Sequence, residues 1–331
     1  EDVCALPLDA RPTCACIAEL HDSLYVVVGL AAGASDGKIA AYLWSDGKLH
    51  AAWSKHVGDH VCALTTVSGY VAAAIGHEVH TYAMEPHALT FRRPWDCAFV
   101  SSCLASQGST LVVGDAMHSL TVLTVAEDGS LSESARDLHP YWTSAVCVLD
   151  EEQQRYLGTD VAMNLFVAER AKGTEPESPW SHVMRHAAAC HVGDLVNAIH
   201  TLPGGRVMYA TASGALGTLV HVPEPVARVL LCVQDAMIEV VPAPGDIPWE
   251  SWRTSRTDTR TEPPHHILDA DVLRFFVSDP SVRSPCLDKA GSLAQARDIP
   301  MAEMAEERIL QMLHALPVSY THLRAHETRG N

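Results

Sequence analysis

A partial all-β propeller followed by a small α-helical C-terminal domain is the fold class this sequence predicts. Three observations predict it. Apolar runs of about four to eight residues, most too short for helices, recur between Gly, Asp, Ser and Pro. The runs come in pairs that repeat about every 40 to 50 residues, the period of propeller blades. Beyond residue 222 the apolar spacing turns helical.

The first pair is Leu24-Tyr-Val-Val-Val-Gly29 with Lys38-Ile-Ala-Ala-Tyr-Leu-Trp44. The second is Val71-Ala-Ala-Ala-Ile-Gly76 with Glu78-Val-His-Thr-Tyr82, and residues 111–123 hold the clearest copy. Residues 156–167 and 207–220 follow. Each pair makes a small sheet that cannot cover its own faces, so neighbouring blades must cover them. Asp46-Gly47 and Asp128-Gly129 stand where hairpins need residues that tolerate positive φ. Five copies are few for a closed ring, so an incomplete propeller is expected, over residues 1–222.

Residues 223–317 are expected to form the helical domain. Helical spacing covers 226–238, and 249–264 is polar, aromatic and ends in Pro, an ordered excursion. Residues 267–276 suggest a short helix capped by Asp269. Residues 280–298 suggest a loose loop, and 300–314 one amphipathic helix with Pro in its first turn. Residues 318–328 match a translated frame of a transposase sequencing adapter, and 318–331 are set aside as foreign to the fold. The chain begins without an initiator Met, and the expectation is a fragment of a longer protein.

With 331 residues, 47% of them hydrophobic, the chain has the material for a core. A net charge of -17 argues against phosphate-backbone binding and favours protein partners or solubility. No run approaches the roughly 20 apolar residues of a membrane helix. The 10 cysteines sit among apolar neighbours, as in Val61-Cys-Ala-Leu, which points to buried free thiols and a reducing, intracellular setting.

Catalytic and metal patterns are weak. His186, Cys190 and His191 lie close together and His265-His266 precede Asp269, but paired zinc-ligand spacing is missing, and Cys14-x-Cys16 has no partner pair. No Gly-x-Ser-x-Gly elbow and no phosphate loop before a helix is present, and Asp150-Glu151-Glu152 suit a solvated turn. The expectation is no enzyme, no metal and no cofactor. Binding is the better reading, centred on Arg136 and Trp142 in a loop between two strand-like runs. Trp and Arg combine large contact area with directional donors. Trp142 taken alone suits packing inside a blade equally well; Pro140 and Tyr141 before it point to a loop and to exposure.

Longer motifs then carry a resemblance. They are Val113-Gly-Asp-Ala-Met-His-Ser119, Ala135-Arg-Asp-Leu-His-Pro-Tyr-Trp-Thr-Ser-Ala-Val146, Tyr156-Leu-Gly-Thr-Asp160 with Asn164-Leu-Phe-Val167, and His191-Val-Gly-Asp-Leu-Val-Asn197. Trp252-Arg-Thr, Arg260-Thr-Glu-Pro263 and Leu268-Asp-Ala-Asp-Val-Leu273 follow. The chain resembles the family shared by the large subunit of the damaged-DNA-binding protein, the 160-kilodalton cleavage and polyadenylation factor subunit and a splicing factor 3b subunit. The Trp-Arg and Thr-Glu-Pro pieces are most similar to the first, the adaptor of cullin-4 ubiquitin ligases.

The resemblance implies WD40-like blades of the third of three propellers plus the helical domain. It implies a clamp that receives WD40-type substrate receptors, with cullin-4 docking on a middle propeller outside this chain. Nucleic acid would be met only indirectly, in nucleus and cytoplasm, in DNA-damage response complexes. An mRNA-processing scaffold of the same family is the alternative. Arg136, Trp142, Leu195 and Asn197 match positions lining the receptor pocket. His118 stands where the adaptor usually has Arg, Cys103 where it has an aromatic residue, and Ala270 where it has a turn glycine. Those departures bear on pocket specificity.

Overall fold

A computed structural model describes residues 10–316, apart from 21, 32, 34–35, 86–87 and 171–181. Residues 318–331, set aside above, lie outside the described residues. Five consecutive antiparallel sheets give a five-blade β-propeller, followed by short helices. The first sheet is β1 (Arg11–Leu20), β2 (Ser23–Ala31), β3 (Gly37–Ser45) and β4 (Lys48–Val57). The second is β5 (Val61–Val67), β6 (Tyr70–Ile75), β7 (Glu78–Glu85) and β8 (Ala88–Asp96). The third is β9 (Ser101–Gln107), β10 (Thr110–Asp115), β11 (Leu120–Val125) and β12 (Leu131–Arg136). The fourth is β13 (Thr143–Asp150), β14 (Arg155–Asp160), β15 (Asn164–Arg170) and β16 (Met184–His191). The fifth has three strands, β17 (Val196–Leu202), β18 (Arg206–Thr211) and β19 (Leu216–Val220).

Every predicted strand pair is a hairpin within one sheet: β2 with β3, β6 with β7, β10 with β11 and β14 with β15 at the centre of four strands, and β18 with β19 at the edge of three. The Asp46-Gly47 turn has φ of 52° and 75°, the two left-handed residues that a tight hairpin between β3 and β4 requires.

By compactness the chain divides into residues 1–187 with 195–199, and residues 188–194 with 200–331. In the first unit the opening strands β1, β5, β9 and β13 lie side by side. Small hydroxyl side chains latch them together. Thr13 Oγ1 donates to the Val61 carbonyl at 2.6 Å, Ser102 Oγ to that of Thr143 at 2.8 Å, and Ser144 Oγ to that of Val196 at 2.8 Å. The cores fill the spaces between blades rather than the blades themselves. Val27, Ile39, Val61, Val71 and Tyr82 pack between the first and second sheets, and Val79, Leu111 and Leu123 between the second and third. A lone blade would leave these faces wet, the physical reason for the repeat.

In the second unit, α1 (Glu224–Val240) buries Val229, Leu230, Val233 and Met237. The excursion at 249–264 is a short helix, α2 (Trp249–Arg253), and a small pairing of Ser255–Arg256 with Thr261–Glu262. Asp269 caps α3 (Ala270–Ser278), accepting from the Asp271 amide at 2.9 Å, and also holds Trp249 Nε1 and Arg253 Nε.

Two expectations for this unit need correction. Residues 280–298 are not a loose loop, for α4 (Arg283–Ala296) occupies most of them. Its buried residues are Cys286, Ala290, Gly291 and Ala294, too small to register as an apolar stripe yet suited to close packing on α1. The helix predicted over 300–314 is broken. A 3₁₀ turn covers Met301–Met304, Ala305 is extended, and α5 (Glu306–Ala315) follows. Among the described residues no helix is long and apolar enough to cross a membrane. The nine described cysteines are free. Burial pushes the Cys147 and Cys286 thiols up to about 12, so neither is an activated nucleophile at neutral pH.

Candidate protein-docking face

In a four-stranded meander the loop between strands two and three and the link to the next blade emerge at the same edge. Backbone hydrogen bonds tie these segments together. Ala116 N donates to the Val100 carbonyl, Ser119 N to that of Tyr141, and Val161 N to that of Trp142. Along this edge of the third and fourth blades Phe99, Met117, Leu138, Trp142, Val161 and Met163 are all exposed. Single exposed apolar residues are ordinary; a run of six large ones on adjoining loops is the kind of feature that marks an interaction surface.

Three buried aspartates hold these loops. Asp115, at the end of β10, accepts from the backbone amides of Phe99 (2.8 Å), Met117 (2.9 Å) and His118 (3.1 Å). Asp160, at the end of β14, accepts from the Asn164 amide at 2.8 Å and from its side chain at 2.9 Å, while Met163 N bonds the Asp160 carbonyl. Asp137 accepts four donors: Ser119 Oγ at 2.6 Å, His139 N at 3.2 Å, His139 Nδ1 at 2.5 Å and His186 Nε2 at 2.9 Å. Burial by itself would raise its pKa. The hydrogen bonds and charge of His139 and His186 win, and hold the carboxyl well below the usual carboxylate range. The exposed side chains therefore project from ordered backbone, which lowers the entropy lost when a partner binds.

The expected contact residues are distributed as follows. Trp142 is 51% exposed at the entry to β13, while its neighbour Tyr141 is 3% exposed and packs on Phe166 and His186. Trp142 is therefore not packed inside the blade. Arg136 is not a loop residue: it ends β12, is half-buried, and its guanidinium pairs with Glu133 at 2.6 Å. Its Nε is buried without a hydrogen-bond partner among the described residues. His118 is exposed on the β10–β11 loop. Leu195 is half-buried just before β17 and Asn197 exposed within it, flanking Val196, the acceptor of the Ser144 latch. Cys103 is off this face, its Sγ lying against Gly114 inside the third blade.

His186, considered above with Cys190 and His191, instead joins Asp137 and His139, a grouping that sequence distance conceals. The loop aspartates also escaped notice. Their signal was present in Val113-Gly-Asp115 and Leu157-Gly-Thr-Asp160, an Asp closing the same strand in successive blades.

Residues 6–278 match the family described as CPSF A subunit region. The chain belongs to this family. Among its relatives are DNA damage-binding protein 1a of Arabidopsis thaliana, 27% identical over 260 residues, and DNA damage-binding protein 1 of Solanum lycopersicum, 27% identical over 277 residues. These alignments cover 73% and 78% of this chain but 24% and 25% of the relatives. DNA damage-binding protein 1 of Oryza sativa subsp. japonica is 24% identical over 290 residues, 82% of this chain and 26% of the relative. The chain thus spans about a quarter of the length of the relatives it matches.

Proposed function

We propose that this chain is part of a non-catalytic scaffold that captures WD40-type substrate receptors for a cullin-4-type ubiquitin ligase in DNA-damage response complexes. The observation that carries the reading is the run of exposed apolar side chains held on aspartate-pinned loops of the third and fourth blades. Trp142 is the anchor, His118, Leu195 and Asn197 are flanking contacts, and Arg136 is a half-buried neighbour that orders the rim through Glu133. Family membership and the names of the relatives support a scaffold role over an enzymatic one. Cullin-4 is met through a propeller outside this chain, nucleic acid only indirectly, and the complex works in nucleus and cytoplasm.

The test is affinity purification of the complete protein from its own cells, with the bound proteins identified by mass spectrometry. Cullin-4 and WD40 proteins are the expected co-purifying species. Polyadenylation or splicing subunits in their place would overturn the assignment.

A further inference from the structure

His186 enters the Trp142 loop from β16, 49 residues from Asp137 in sequence, and docking on the exposed face gives it no part. It is almost fully buried, stacked 3.9 Å from the His139 ring and 4.9 Å from that of Phe166. Its Nε2 and the Nδ1 of His139 each address a different oxygen of the Asp137 carboxylate. Two neutral rings in this arrangement must carry their protons on His139 Nδ1 and His186 Nε2. The other nitrogen of His186, Nδ1, is buried with no partner among the described residues. As a bare lone pair it is tolerated; as an N–H it would be a buried donor without an acceptor.

We propose that His186 is a positioning residue for Trp142: acting through Asp137, it holds residues 137–142 in the conformation that presents the indole, and protonation of the stacked histidine pair releases them. The proposal rests on the reading of Trp142 as the docking anchor. One added proton is accommodated on His139, whose ring reaches the surface and keeps its bond to Asp137. A second proton has no such place. It would put two cations face to face at 3.9 Å over a single carboxylate, with one N–H unmatched.

Other titratable groups on the surrounding elements are otherwise engaged or uncharged. They are Tyr141 of the loop, the Arg136–Glu133 pair of β12, His182 bonded to the Ser134 carbonyl, and Asp115 bonded to loop amides beside exposed His118. From the fourth blade, Arg185 is paired with Glu169, and Phe166 carries no charge.

A divalent ion is the rival occupant of an Asp–His–His group. Its three ligand atoms lie within 4.8 Å of one another, but both carboxylate oxygens already accept two donors each, so an ion would have to displace bonds the group already makes.

The test needs no binding partner, so its failure is separable from failure of the docking reading. The full chain, labelled with 5-fluorotryptophan, is titrated from pH 8 to pH 5, with the Trp142 fluorine signal assigned by Trp142→Phe. Histidine ring nitrogens are followed by long-range proton–nitrogen correlation. At pH 8 the tautomers are expected as stated, and on acidification the Trp142 signal shifts together with the second of the two ring titrations. His186→Gln keeps a donor for Asp137 but cannot titrate, and is expected to hold the pH 8 signal to lower pH. His186→Phe keeps the stack without the donor, and is expected to show the acid signal already at pH 8. A Trp142 signal independent of pH in the wild-type chain, or opposite tautomers, would overturn the proposal. So would stoichiometric Zn²⁺ binding that is lost in His139→Ala.

Discussion

Asp137→Asn gives the most direct view of how the proposed docking face is held. The carboxylate serves four donors, two on each oxygen, while an amide of the same shape offers one oxygen and an NH2 group. Two donors then face a donor. Hydrogen bonds to a charged group contribute about 1.5–3 kcal/mol each, so losing two costs roughly 3–6 kcal/mol, close to the roughly 3–5 kcal/mol found when a buried charged pair is broken. At about 2–4 °C per kcal/mol for a unit of this size, the melting temperature should fall by roughly 6–24 °C.

The pH dependence follows from linkage. Because the folded carboxyl titrates below its unfolded counterpart, its stabilisation is fully present above the ordinary carboxylate range. It is lost as pH falls through the depressed folded value. The wild-type chain should therefore lose more stability than Asp137→Asn as pH falls from 7 to 2, narrowing the gap between them. Calorimetry of both proteins across that range is the assay. A melting temperature within about 2 °C of wild type at pH 7, or a constant gap down to pH 2, would refute the reasoning.

Three further outcomes are expected. Gly114→Ala places a methyl group against Cys103 Sγ and 2.9 Å from Thr143 Cγ2, and should cost about 1–3 kcal/mol in urea denaturation, with Cys103→Ala in the same chain recovering part of it. Ser144→Ala removes the latch to the Val196 carbonyl and a 3.0 Å contact with Thr159, and should cost about 0.5–1.5 kcal/mol by the same measurement. Ala290→Leu crowds a fully buried position of α4 and should destabilise the chain by about 1–3 kcal/mol, where a loose loop over 280–298 would tolerate it.

The propeller was legible because its signals are local. A strand announces itself by a short apolar run, and a hairpin by a residue pair such as Asp46-Gly47, whose left-handed backbone few other residues adopt. The capping role of Asp269 was legible for the same reason. Trp142 could be placed outside the core from Pro140 and Tyr141, but nothing local distinguishes Tyr141, which is buried, from its exposed neighbour.

What escaped is non-local or weakly patterned. α4 buries Cys, Ala and Gly, whose small side chains leave no strong periodicity. Arg136 was placed on a loop because its partner Glu133 and the ladder to β11 follow from strand register rather than composition. The Asp137 group joins residues from the β10–β11 loop, the loop after β12 and β16. Only the packing of the fourth blade beside the third brings them within reach.

The central claim is that the loop face of the third and fourth blades is where receptors dock. Trp142→Ala in the complete protein, compared with Trp44→Ala at the opposite edge of the first blade, tests it most directly. Both side chains are about half exposed, so both variants should keep wild-type stability to within about 0.5 kcal/mol. The account predicts that Trp142→Ala loses at least tenfold in recovery of WD40 receptors while Trp44→Ala retains them. Equal recovery from the two variants would contradict it.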